Sequence, residues 1–252
     1  LADNGAIYLH CDHRKSHQLR MMLDEIFGEQ NFLNTLVWQF TTRSSIKSSW
    51  KRTHHDIHFY KKNSSPTYNW DNEFVIEPLS PNTIKKYKYE DENGRYRLNG
   101  RFLKDSPVKG AKDVDPKWEI SNPELVVRDY LRPGKVAGDV FFIDIENQAS
   151  SVRTNYPTQK PEELLHKLIT ASSKKGDLIF DCFMGSGTTQ AVATKLGRRF
   201  IGADINLGSI QTTTKRLITI DRELEQVGSW YGLKRFLSLL PRSYYHGWRV
   251  YV

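Results

Sequence analysis

The chain has 252 residues, with 37 Lys and Arg against 29 Asp and Glu, a net charge of +8. It holds no run of about 18 apolar residues, so a membrane-spanning helix is not expected, and its two cysteines, Cys11 and Cys182, are too few for a disulfide scaffold. A reducing cytoplasmic setting and a polyanionic partner fit this balance.

In chain order, "GAIYLH" follows an Asp-Asn-Gly turn and has the length and composition of a strand. In "SHQLRMMLDEIFG", Leu19, Met22, Leu23, Ile26 and Phe27 recur at helical spacing, and Gly28 closes the helix. "TLVWQF" and "HDIHFYKK" read as strands, the second by alternation of Ile57 and Phe59 against His58 and Tyr60. Between them, "TTRSSIKSSWKR" is a polar, basic loop. From 63 to 153 the periodicity is poor, and this stretch is expected to be an inserted, irregular region between the two parts of one α/β domain, 1–62 and 154–225. "PEELLHKLITASS" opens a helix at Pro161, with Leu164, Leu165, Leu168 and Ile169 on its apolar face. "LIF", "TTQAVATKLG" and "RFIGADI" then give strand, helix and strand, a βαβ unit in a parallel sheet, before a last helix in "SIQTTTKRLITIDREL". The tail from 226 to 252 is aromatic and basic, with no legible role.

The chemistry concentrates in "LIFDCFMGSGTTQAVATKLGRRFIGADIN". A strand ends at Asp181, a glycine-rich turn follows, and a second strand ends near Asp204. Such turns hold phosphates, dinucleotides or S-adenosylmethionine. A phosphate loop needs a lysine after its last glycine, and Gly187 is followed by Thr188. A dinucleotide is harder to set aside, since Gly185 and Gly187 supply GxG and Asp204 could take a ribose. Gln190, however, replaces the third small residue, and Asp181 would face a pyrophosphate with the wrong sign. An acid there suits an ammonium group, which S-adenosylmethionine carries. The "HCDH" run suggests no metal site, because neighbours on a strand point to opposite faces and cannot close a tetrahedron.

"FDCFMGSGTT" resembles the DPFxGSGTT cofactor motif of the amino-group DNA methyltransferases. "NYPTQKPEELLHKLI" and "NGAIYLHCDHRKSHQLRMMLDEIFGEQNF" resemble flanking segments of that family's permuted, β-order group. The resemblance covers 1–62 and 154–220. It implies a Rossmann-like α/β methyltransferase fold with an inserted target-recognition region, S-adenosyl-L-methionine as cofactor and no metal. The implied activity is methyl transfer to the exocyclic amine of adenine (N6) in double-stranded DNA, with cytosine N4 or a non-catalytic remnant as alternatives. A restriction or specificity subunit is an implied partner. Asp181, Phe183, Gly185, Ser186, Gly187 and Thr188 would line the methionine end, Asp204 the ribose, and Thr158, Lys160 and Pro161 the segment closing over the methionine. The recognition role implies phosphate and base contacts by Arg43, Lys47, Lys51, Arg52, Lys85, Lys86, Lys88, Arg95, Arg97, Arg101 and Lys104.

Two departures stand out. Cys182 replaces the motif's proline. The family's catalytic tetrapeptide, Asp/Asn/Ser-Pro-Pro followed by an aromatic residue, occurs nowhere in the 252 residues. In the β order it belongs upstream of Leu1, the first residue of "LADNGAIYLH". The expectation is therefore a chain lacking its first portion, with its catalytic residues ahead of Leu1, and lacking a strand beside "LIF".

Overall fold

The computed structural model describes residues 1–42, 45–62, 65–146, 153–154 and 156–226. Arg43 and nearly all of the tail lie outside them. The chain divides into two compact units, one of residues 1–75 with 138–252, the other Ile76–Ala137.

The first unit begins with β1 (Ala6–Cys11), α1 (Ser16–Phe27), β2 (Phe32–Gln39) and β3 (His54–Lys61). With β7 (Val140–Phe142) these strands form a sheet of order β1-β3-β2-β7. β3 runs antiparallel to both neighbours, and β2 runs parallel to β7. Leu1 lies ahead of this sheet. It is 56% exposed, and its carbonyl accepts from the Lys62 ammonium at 3.0 Å, just past the end of β3. The alternation read in β3 does not become a wet face and a dry face: Ile57, His58, Phe59 and Tyr60 are all buried. The reason is its place in the middle of the sheet, with both faces covered. On one face Tyr60 donates to Asp24 of α1 at 2.7 Å. On the other, Ile57 joins Leu36, Trp38, Phe40 and Ile143 against Leu164 and Leu168 of α4 (Glu162–Ser172).

The opposite side of α4 packs elsewhere. Ile169 joins Val192 and Ala193 of α5 (Thr188–Lys195), Phe200 of β9 (Arg199–Gly202) and Leu217 of α6 (Leu207–Gln226). Burying each such side chain contributes about 1.5–3 kcal/mol, so α4 joins the two halves of the unit. β8 (Leu178–Asp181) pairs in parallel with β9, as the sequence pattern requires. Among the described residues the other edge of β8 is unpaired, as is the outer edge of β1.

The second unit holds α2 (Pro81–Ile84), the antiparallel sheet β4-β5-β6 (Tyr89–Asp91, Gly94–Gly100, Val126–Tyr130) and α3 (Lys117–Ser121). Its core is Tyr96, Leu98, Val114 and Val126. It is narrower than the irregular stretch expected from 63 to 153. Asn69 donates to the Thr170 and Ser173 carbonyls at the end of α4, and β7 joins the first unit's sheet, so both flanks belong to that unit.

Candidate active site

The glycine turn is built by positive-φ backbone. Gly185 has φ +52° and Gly187 φ +72°, a region L-side chains rarely occupy. A Cβ at Gly187 would lie 2.5 Å from the Thr213 methyl. The chain therefore bends sharply enough to set Gly187 as the cap of α5. Both strand-end acids organise the turn. Asp181 accepts from the Phe183 amide at 3.0 Å and the Thr189 hydroxyl at 2.6 Å. Asp204 accepts from the Gly185 amide at 2.9 Å and the Asn206 amide at 2.8 Å. A carboxylate has about four lone-pair sites, so each keeps acceptor capacity beyond these bonds.

The other turn residues divide by direction. Phe183 is 81% exposed, whereas Ser186 and Thr188 are buried. Thr188 donates to the Lys160 carbonyl at 3.4 Å and lies 3.2 Å from the Ser186 hydroxyl. Behind them Arg216 of α6 donates to the Ser186 carbonyl and the Thr188 hydroxyl, both at 3.1 Å, and to Glu162 of α4 at 2.8 Å. Lys195 bonds the second Glu162 oxygen at 2.7 Å. Burial pushes the Glu162 carboxyl up, but the bonds from Lys195 and Arg216 outweigh it and the net shift is downward.

The "PTQKP" segment meets the turn. Thr158 is exposed, and its carbonyl accepts from the Lys160 ammonium at 3.0 Å; Pro161 is buried as the cap of α4, one position before the helix rather than its first residue. Burial pulls the Lys160 ammonium below its ordinary value, and the Asp181 carboxylate partly restores it. Lys160 also lies within electrostatic reach of His10 and His55. These two rings, on β1 and β3, hydrogen-bond at 2.9 Å and pack against Trp38. Burial first, then Lys160, pulls His10 down to about 3. The C-terminal ends of β1, β2 and β8 thus share a neighbourhood, the edge where parallel α/β sheets bind ligands. Leu1 stands at the other end of β1, where Ala6 pairs with Lys61.

Sequence reasoning passed over Tyr156, Glu162 and Arg216. The Tyr156 hydroxyl lies 3.0 Å from that of Ser209, and a Cβ at Gly185 would meet its ring at 3.2 Å. Its place in "NYPTQKP" was a usable signal. Glu162 and Arg216 are 54 residues apart, and no spacing rule joins them.

The basic residues divide as well. Lys47, Lys51 and Arg52 are exposed between β2 and β3; Lys51 also donates to the Thr42 carbonyl at 3.2 Å. Lys85, Lys86 and Lys104 of the second unit are exposed. The remaining four hold that unit together: Lys88 pairs with Asp113 and Arg97 with Asp129, while Arg95 and Arg101 donate to the Tyr87 and Val126 carbonyls.

A family model described as "DNA methylase" matches residues 1–215. The chain is 30% identical to "Type II methyltransferase M.EcaI" of Enterobacter cloacae, over 86% of this chain and 54% of that protein. It is 46% identical to "DNA adenine methyltransferase YhdJ" of Escherichia coli (strain K12), over 33% of this chain and 28% of that protein. The solved PvuII DNA methyltransferase (cytosine-N4-specific) shares the fold, with a TM-score of 0.52, 14% identity, and coverage of 86% of this chain and 64% of that one. The chain spans about half the length of M.EcaI, and less of YhdJ.

Proposed function

The chain belongs to the DNA methylase family, and we propose that it is the cofactor- and DNA-handling part of an S-adenosylmethionine-dependent enzyme that methylates adenine N6 in double-stranded DNA. A restriction–modification setting, with a restriction or specificity subunit as partner, accords with the type II relative. The observation that carries the cofactor reading is the pairing of charges at the turn. The Asp181 carboxylate acts on the Lys160 ammonium from within electrostatic reach, with no salt bridge between them among the described residues. A half-buried cation and a strand-end carboxylate, both with capacity to spare, suit the carboxylate and ammonium of an amino-acid moiety. Asp204 suits two ribose hydroxyls, and the exposed Phe183 ring offers apolar contact. When bound, the cofactor supplies a methyl group activated by a sulfonium.

The chain's residues bind and orient. Asp181 and Lys160 fix the amino-acid end, Asp204 the ribose, and Tyr156 with the two glycines the backbone between them. The exposed lysines and Arg52 neutralise phosphates. Acceptors for the hydrogens of the target amine, and an aromatic platform for a flipped base, belong to the Asp/Asn/Ser-Pro-Pro-aromatic motif, which these 252 residues lack. We therefore propose that the catalytic group lies upstream of Leu1 and that this chain alone does not transfer methyl groups. The edges of β8 and of β1, unpaired among the described residues, accord with a further strand. Adenine is preferred through the YhdJ relative; cytosine N4 is the alternative.

The test is methyl transfer to unmethylated duplex DNA by this chain and by the whole natural protein, with the methylated nucleoside identified by mass. N6-methyladenine from the whole protein and no product from the chain is the expected result. N4-methylcytosine overturns the adenine assignment, and comparable turnover by both overturns the placement of the catalytic group.

A further inference from the structure

The segment joining β2 to β3 carries an unusual side chain. Trp50 is 96% exposed, the most exposed large apolar residue in the described part of the protein. A tryptophan is usually well buried and gains about as much from burial as any side chain. Nothing in the first unit's cores takes it. Its segment also carries Lys47, Lys51 and Arg52, all exposed. The segment is anchored at its base: the Phe40 amide donates to the Thr53 carbonyl at 2.8 Å, and Lys51 to that of Thr42 at 3.2 Å.

Its position gives the exposure a meaning. β2 ends at Gln39 and β3 begins at His54, the two being register partners. His55 lies one residue further on, against His10 and within reach of Lys160. The segment carrying Trp50 therefore leaves the sheet at the end where His10 and His55 meet, within electrostatic reach of Lys160, not from a remote surface. Isolated exposed apolar residues are ordinary on proteins. An exposed indole with three exposed cations on the same segment has the two parts that bind unstacked nucleic acid, phosphate neutralisation and an aromatic face.

We propose that Trp50 is a wedge that stacks on the DNA bases beside the extruded target base and fills the space it leaves. The inference rests on the DNA reading above. The flanking cations hold the backbone, and the indole replaces the lost base stacking. It is a DNA-contacting residue outside the basic set read from the sequence.

The test compares binding of the chain to an intact duplex and to the same duplex with one central abasic site, at fixed salt. A wedge prefers the abasic duplex, whose gap spares the unstacking cost, by about tenfold, at the lower end of base–aromatic stacking. Trp50→Phe should keep that preference and Trp50→Ala should abolish it. Lys47→Ala should weaken both duplexes equally. Phe102→Ala removes the second unit's most exposed aromatic ring, 79% exposed, and should leave the preference intact. A preference that survives Trp50→Ala, is missing from the wild type, or disappears with Phe102→Ala overturns the proposal. Both tryptophan variants should bind S-adenosylhomocysteine as the wild type does, which shows that they are folded. If the wild type binds S-adenosylhomocysteine but neither duplex at low salt, the DNA reading itself falls, a result distinct from failure of the wedge alone.

Discussion

His10 shows how a single residue ties the sheet to the site. Its ring is bonded to His55, tilted against Trp38 and within electrostatic reach of Lys160. Burial and that cation hold it neutral, with a pKa pulled down to about 3 from the ordinary 6.5, while Asp12 opposes the shift slightly. The unfolded chain therefore takes up a proton that the folded chain refuses. The sign follows: the contribution of neutral His10 is complete above about pH 6.5 and is lost as pH falls from there towards 3. His10→Gln, which cannot be protonated, should flatten the fall of unfolding free energy between pH 6.5 and 4 by roughly 1–3 kcal/mol. Urea titrations of both proteins across that range check it; parallel curves would show that the ring is free to ionise. None of this was legible in "HCDH", because the partner ring comes from another strand 45 residues away.

At the scale of elements, the strand–turn–helix–strand from Leu178 to Gly202 was readable because local rules fix it: an acid at a strand end, glycines where φ must be positive, a helical run, a second short strand. The clamp behind it was not readable. Glu162 on α4 and Arg216 on α6 meet only after both helices have packed, and together they hold the Ser186 and Thr188 end of the turn. The Arg216 side chain is only 7% exposed, so removing it leaves Glu162 with Lys195 alone. Arg216→Met should destabilise the chain by about 3 kcal/mol, as breakage of a buried pair does. It should also weaken S-adenosylhomocysteine binding while Asp204 remains in place. Denaturant unfolding with calorimetry on the same sample checks this; wild-type affinity in the variant would mean that the turn holds its shape unaided. The β3 strand teaches the opposite lesson. Its alternating pattern marks a strand but not its exposure: a central strand covered by α1 and α4 buries polar His58 as readily as Ile57.

Across the whole molecule, net charge said that a polyanion is a fitting partner but not which cations are free to meet it. Lys88, Arg95, Arg97 and Arg101 are used inside their own unit, since Asp113 and Asp129 lie 25 and 32 residues along the chain from Lys88 and Arg97. Of the described candidates, six exposed ones lie outside those contacts: Lys47, Lys51, Arg52, Lys85, Lys86 and Lys104. With about five phosphate contacts, the log–log dependence of DNA affinity on salt should have a slope near −4.5. Lys104→Ala should make it shallower by about 1, and Arg97→Ala should lower stability rather than change the slope. Filter binding from 50 to 200 mM salt reads both; a slope near zero would remove the electrostatic basis for DNA contact.

The central claim is that the turn between Asp181 and Asp204 holds S-adenosylmethionine, and calorimetric titration of this chain with S-adenosylhomocysteine, beside NAD, tests it most directly. The account predicts saturable binding of S-adenosylhomocysteine and none of NAD. It further predicts a loss of about 1.5–3 kcal/mol on Asp204→Ala, the worth of charge-assisted hydrogen bonds to a ribose. NAD binding in place of S-adenosylhomocysteine, or unchanged affinity in a folded Asp204→Ala variant, would contradict it.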